Sequence, residues 1–145
     1  MGDLKIIAGV VIEQDGKILL VQEKKEKVRG LWNFPAGHVQ EGETEEAAAI
    51  REAKEEVNLD VALIEKLGVF TNEKDPKPKH AFKAEVIGGE LQIPKEELLD
   101  AQWFTPEEIN AMSGQLRDPW ISEAVAELRK KIIDATTEGG YGKRL

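Results

Sequence analysis

Residues 37–59 constrain this chain more tightly than any other stretch. They read Gly37-His38-Val39-Gln40-Glu41-Gly42-Glu43, then a run of small helix formers, then Arg51-Glu52-Ala53-Lys54-Glu55-Glu56-Val57-Asn58-Leu59. Glycines free the backbone to turn sharply, so the first half is expected as a loop and the residues from 44 to 57 as a helix. On that helix Glu52, Glu55 and Glu56 stand at i, i+3 and i, i+4 and crowd one face. Ile50, Ala53 and Val57 are expected on the opposite side, as the stripe that packs against a core. Whatever fold forms has to bury one side of this helix while presenting three acids beside a glycine turn.

Carboxylates gathered in this way repel. Like charges at i, i+4 cost roughly 0.2–0.5 kcal/mol per pair, and Lys54 does not lie among them. A solvated acidic face is one outcome of such a pattern. The other is a bound cation, because hard divalent ions take oxygen ligands and Mg²⁺ is commonly held by one or two carboxylates together with substrate phosphates and waters. The loop favours the cation, since a carbonyl at Gly37 can point at the same ion. Glu43, at the start of the helix, suits the positive end of the helix dipole and can support such a site. Arg51 stands four residues before Glu55, where a salt bridge would orient a ligating carboxylate.

The pattern Gly37, five residues, Glu43, seven residues, Arg51-Glu52-Ala53-x-Glu55-Glu56-x-Asn58-Leu59 resembles the signature box of the Nudix hydrolases. Every charged position of that signature matches. Asn58 departs from it, standing where the family usually has glycine, and asparagine is the non-glycine residue most tolerant of the left-handed conformation that closes a helix. Ala36 also departs, where many members carry another glycine. The resemblance implies an α+β chain folded as the family's α/β/α sandwich, with the box as a loop, helix and loop beside a central mixed β-sheet. It implies a metal-dependent hydrolase of phosphoanhydrides: Mg²⁺ or Mn²⁺ held by Glu52, Glu55, Glu56 and the Gly37 carbonyl, with Arg51 and Glu43 in support. Glu52 is preferred as the general base. Glu97 is the alternative, because related enzymes often place an additional carboxylate in the loop before the strand that contains Trp103.

The rest of the chain fits one mixed domain. At 145 residues, with 41% of them hydrophobic, it has the size of a single domain, expected over 1–137 with a frayed tail over 138–145. Strands are expected over 4–12 and 17–22 around an Asp15-Gly16 hairpin turn, and over 31–34, stopped by Pro35. Further strands are expected over 61–71, 80–87, 91–93 and 101–104, with a charged loop over 72–79 and a turn at Gly88-Gly89. Thr105-Pro106-Glu107-Glu108 has the form of a capping box with proline at the first helical position. Asp118-Pro119 is expected to start a last helix with Val125, Leu128, Ile132 and Ile133 on its apolar side.

No apolar run approaches the roughly 20 residues that span a bilayer, and the first residues lack the pattern of a secretory signal, so a cytoplasmic protein without membrane contact is expected. The chain has no cysteine, which excludes disulfides and thiolate metal sites. A net charge of −8 disfavours duplex nucleic acid as a partner. A small phosphorylated, nucleotide-like substrate is expected instead, and a homodimer is compatible with the sequence. Arg29 is a candidate phosphate contact, and Trp32 and Phe34 are candidate stacking surfaces for a base, as are Trp103 and Phe104. Lys24, Lys25, Lys74, Lys77 and Lys79 either guide an anion or keep the surface soluble. His38 and His80 have no zinc-site spacing. The stretch from Phe34 to Val39 looks like the version of the box found in small members acting on nucleoside and pyrimidine-type di- and triphosphates. A catalytically silent, ligand-sensing Nudix domain is the alternative, and it usually has a degraded acidic box, whereas here the acids are intact.

Overall fold

The computed structural model describes residues 5–131. Strand β1 (Ile7–Gln14) and strand β2 (Lys17–Glu23) form the expected hairpin. Asp15 and Gly16 both take positive φ (54° and 78°), the backbone that a two-residue hairpin turn requires. The two strands pair only next to that turn, at Glu13 with Ile18 and Gln14 with Lys17. Beyond it they diverge. β1 goes on to pair antiparallel with β4 (Ala36–His38) and parallel with β6 (Lys79–Gly89), while β2 pairs with β3 (Trp32–Asn33) and β7 (Leu98–Phe104). The order β3-β2-β1-β6-β5, with β5 over Leu59–Phe70, makes a mixed sheet. β5 lies at its edge, and its pairing with β6 is interrupted by register shifts at Asp60/Val61, Leu63/Glu65 and Lys66/Gly68.

Alternation along the strands divides the core in two. Ala8, Val10 and Ile12 of β1 and Leu19 and Val21 of β2 face helix α1 (Glu45–Val57) and meet its Ala48, Ala49, Ala53 and Val57. Val11, Ile18 and Leu20 face the other way, onto Ile109 of α2 (Pro106–Ala111) and Trp120, Ile121, Ala124, Val125 and Leu128 on or beside a third helix, α3, over 120–131. The expected α/β/α sandwich with a central mixed sheet is the observed architecture. No helix among the described residues is long and apolar enough to cross a membrane.

Helix ends follow local chemistry. Thr44 caps α1 by accepting the Ala47 N–H, and Thr105 and Glu108 complete the capping box of α2. Asn58 closes α1 in the left-handed conformation, φ 60°, and its side-chain amide donates to the Glu90 carbonyl at 2.9 Å.

Several expectations need correction. Residues 36–38, expected as loop, form β4, because β1 needs an antiparallel partner where β2 has left it. Gly88 and Gly89 do not turn the chain but pair with Asp60 and Leu59. Residues 91–93 form no strand, and Lys79 belongs to β6. On α1, Ile50 is 42% exposed and Ala49 takes its place against the sheet. The acids do not lie opposite the packing stripe. At about 100° per residue Glu52 and Glu56 fall within the arc of Ala48, Ala49, Ala53 and Val57. Ile132, Ile133 and the tail over 138–145 lie outside the described residues.

Gly9 shows how closely the layers meet: a Cβ there would fall 2.5 Å from the Trp120 ring and 2.9 Å from the Ala36 Cβ, both immovable in a packed core. Gly9→Ala is expected to destabilise the fold by about 1–3 kcal/mol through overpacking, read as a lower midpoint in chemical denaturation.

Candidate functional site

Where β1 and β2 separate, β4 and α1 meet beside the end of β2 and the turn at 95–97. They enclose a cleft of about 990 Å³. Its floor is set by Gly37, for any side chain there would collide with the Glu52 carboxylate. Glycine lets β4 lie directly against the acidic helix.

Arg51 organises the near wall. Its Nε and Nη2 donate to the two oxygens of Glu43 at 2.7 and 3.0 Å, the bidentate geometry suited to guanidinium and carboxylate. Nη1 donates to Glu52 Oε2 at 2.8 Å and Glu55 Oε1 at 3.1 Å, and Nη2 also reaches the His38 carbonyl at 3.0 Å. Glu43 accepts the Gln40 N–H as well, so this side chain pins the glycine loop to the helix. Hydrogen bonding from Arg51 pulls the Glu43 carboxyl down to about 2, and the same bond raises the Arg51 guanidinium above its ordinary value. His38, at the end of β4, is held below its ordinary value by burial and by Lys5, Lys77 and Lys25 around it.

The deeper acids are in a different state. Burial raises the Glu52 carboxyl, with Arg51 opposing. Glu56 is pushed up to about 9, first by burial and then by the charge of Glu52, with Glu23 and Glu97 adding to it. Its one hydrogen bond comes from the Ala36 N–H at 3.3 Å. In the free protein at neutral pH, Glu56 is therefore held in its protonated form. Among the described residues no three His, Asp or Glu side chains converge on one point, and Glu52 and Glu55 are both paired with Arg51. The donor set nevertheless suits a hard cation: it is all oxygen, more acid than base, and includes a carboxyl that an added positive charge would ionise.

Gly37, Glu43, Arg51, Glu52, Glu55, Glu56 and Glu97, expected to work together, border one another here, with Glu97 on the cleft wall opposite α1. Arg29 lies at the rim and donates to the Lys24 carbonyl at 3.1 Å, and Lys24 and Lys25 also line the cleft. The expectation for Trp32 and Phe34 needs correction. Trp32 is 8% exposed and stacks edge-on against Phe104, and Phe34 is 1% exposed against Trp120, so both serve the core. Trp103 packs on the α1 side of the sheet. Lys79 is buried between Asp75 and Asp118 and guides nothing, and His80 lies on β6 with a buried Nδ1. Glu23 was not anticipated. Its signal was in the alternation of β2, where Leu19, Val21 and Glu23 share the α1 side.

Known proteins resemble this chain in sequence and in fold. The NUDIX domain family matches residues 3–125. A putative 8-oxo-dGTP diphosphatase of Bacillus subtilis is 34% identical over 97 residues, covering 67% of this chain and 63% of the relative. An ADP-ribose pyrophosphatase of Methanocaldococcus jannaschii is 38% identical over 98 residues, covering 65% of this chain and 57% of the relative. A solved NUDIX hydrolase from Nitrosomonas europaea superposes with a TM-score of 0.80 at 25% identity, over 89% of this chain and 90% of that one. The chain spans from about a third to under two thirds of the length of the first curated relatives it matches.

The raised Glu56 carboxyl has a measurable consequence. Between its ordinary value of 4.5 and about 9 the folded chain holds a proton that the unfolded chain releases. Stability from this group is thus fully present below the ordinary value and is lost as pH rises toward 9. In EDTA, denaturation midpoints are expected to fall between pH 6 and 8.5, and Glu56→Gln is expected to flatten that slope.

Proposed function

The chain belongs to the Nudix family, and we propose that it is a divalent-metal-dependent hydrolase cleaving a phosphoanhydride bond in a nucleoside di- or triphosphate or a related nucleoside diphosphate linked to another group. The observation that carries this reading is the gathering of Glu52, Glu55, Glu56 and Glu97 around one cleft, with Gly37 set directly against the Glu52 carboxylate. Burial and the neighbouring Glu52 raise the Glu56 carboxyl, and added positive charge would favour its anion.

Glu52, Glu55, Glu56 and the Gly37 carbonyl would hold Mg²⁺ or Mn²⁺. Bound there, the ion would neutralise phosphoryl oxygens and acidify a water. The chain's own residues supply the rest. Glu52 accepts the proton of the attacking water, with Glu97 on the facing wall as the second candidate. The water oxygen bonds to phosphorus as the bridging P–O bond breaks, and the leaving phosphate departs with the electron pair. Arg51 keeps Glu52 and Glu55 turned into the cleft, and Glu43 keeps Arg51 in place. Lys24, Lys25 and Arg29 on the rim face the substrate's remaining phosphates.

Similarity to an 8-oxo-dGTP diphosphatase and to an ADP-ribose pyrophosphatase supports this range of substrates. An intact set of acids in one cleft argues for catalysis over silent ligand sensing. The absence of cysteine suits the cytoplasm.

Glu56→Gln is expected to lower turnover by at least roughly 100-fold, since loss of groups that only orient metal ligands already costs about 10–100-fold. Phosphate and pyrophosphate release from a nucleotide panel with Mg²⁺ would measure it, with thermal melting as the check that the variant is folded. Wild-type turnover in the variant would refute the assignment.

A further inference from the structure

The acidic cleft has a larger neighbour among the described residues. A groove of about 1220 Å³ lies between the loop at 72–77 and the segment 113–122. A smaller cavity of about 180 Å³ lies between the two and shares Ala36, Gly37 and His38 with the acidic cleft, and Asp75, Lys77 and Arg117 with the groove. The acidic cleft alone reaches the upper end of the roughly 300–1,000 Å³ typical of a site for one small ligand. The groove adds as much space again.

Its charge is opposite to what the chain as a whole would give. Net charge is −8, yet Lys5, Lys74, Lys77 and Arg117 all line this groove. Two of its three acids are already committed. Asp75 pairs with Lys77 at 3.1 Å and Lys79 at 3.3 Å, and Asp118 pairs with Lys79 at 3.6 Å while accepting from Asn72 and from the Trp120 N–H. Only Glu73 remains to offset them, and Lys5, Lys74 and Arg117 form no ion pair among the described residues. Lys5, Lys74 and Arg117 thus stand without an ion pair among the described residues, beyond the small cavity that borders the acidic cleft.

We propose that this groove binds a second phosphoryl group of the substrate, carried on the sugar away from the scissile anhydride, through Lys5, Lys74 and Arg117. The preferred substrate is thus a nucleotide phosphorylated at both ends of its sugar. The inference rests on the acidic cleft being the hydrolytic centre, with the smaller cavity holding the part of the substrate between the two phosphorylated ends.

The test compares each of the four ribonucleoside 5′-triphosphates with its 3′-phosphorylated counterpart in the presence of Mg²⁺. For at least one base the wild-type kcat/KM is expected to favour the 3′-phosphorylated form by roughly tenfold, equivalent to about 1.4 kcal/mol. In Lys74→Ala/Arg117→Ala that ratio is expected to fall to near one, and in Lys74→Arg/Arg117→Lys to persist. A wild-type ratio near one for all four bases, or an unchanged ratio in the alanine variant, overturns the proposal. A second measurement separates it from the reading of the acidic cleft: calorimetric binding of adenosine 3′,5′-bisphosphate and adenosine 5′-monophosphate in EDTA. Tighter binding of the bisphosphate, lost in the alanine variant, supports the groove even if no triphosphate is hydrolysed, in which case the hydrolytic reading fails alone. Equal binding of the two probes counts against the groove whatever the turnover.

Discussion

Everything in this molecule is arranged around carboxylates on the sheet-facing side of α1. Glu52 and Glu56 occupy positions that an ordinary packing helix gives to leucine or valine. Burying a charge is expensive unless it is paired or neutralised, and both solutions occur here within two turns. Glu52 meets the Arg51 guanidinium, which also secures Glu43 and Glu55, and Glu56 gives up its charge. The folded chain thereby concentrates acid on one side of α1 with the Arg51 guanidinium set against it.

The sheet is shaped to allow this. Had β1 and β2 stayed paired along their length, the space under the C-terminal half of α1 would have been filled by strand. They separate after two residue pairs, β4 takes the vacated side of β1, and β3 and β7 flank β2. Small residues make the resulting approach possible. Alanines bring α1 close to the sheet, Gly9 admits the Trp120 ring, and Gly37 admits the Glu52 carboxylate. Trp120 joins the two halves of the problem, since its ring packs on Phe34 while its Nε1 donates to Asn33, whose amide in turn donates to Glu23 at the cleft.

Much of this was legible from residue order, because local chemistry and tertiary structure agree. The Asp15-Gly16 turn, the Thr105 cap and the Asn58 closure are decided within a few residues of themselves and formed as expected, and Thr44, expected as the first helical residue, is the cap instead. The acids of the box are likewise together because helical spacing puts them together. What could not be read depended on partners distant in sequence. The short strand β4 exists only because β1 has a free edge. Trp32 and Phe34 are core because Phe104 and Trp120 arrive from the other end of the chain. The orientation of α1 differs from the expected one for a related reason: a stripe through Ile50, Ala53 and Val57 is the apolar choice, whereas the face against the sheet is set by small residues, and two glutamates lie within it.

The irregular pairing of β5 has a consequence outside chemistry. As the terminal strand of the sheet it presents a row of unpaired backbone groups, over twelve residues, of the kind that recruits further strands into fibres. Three register shifts within that length break the flat repeat a stacking neighbour would need, and Asp60, Glu65 and Lys66 fall at those breaks. Distortion and charge thus guard this edge within the described residues, which favours colloidal stability at high concentration.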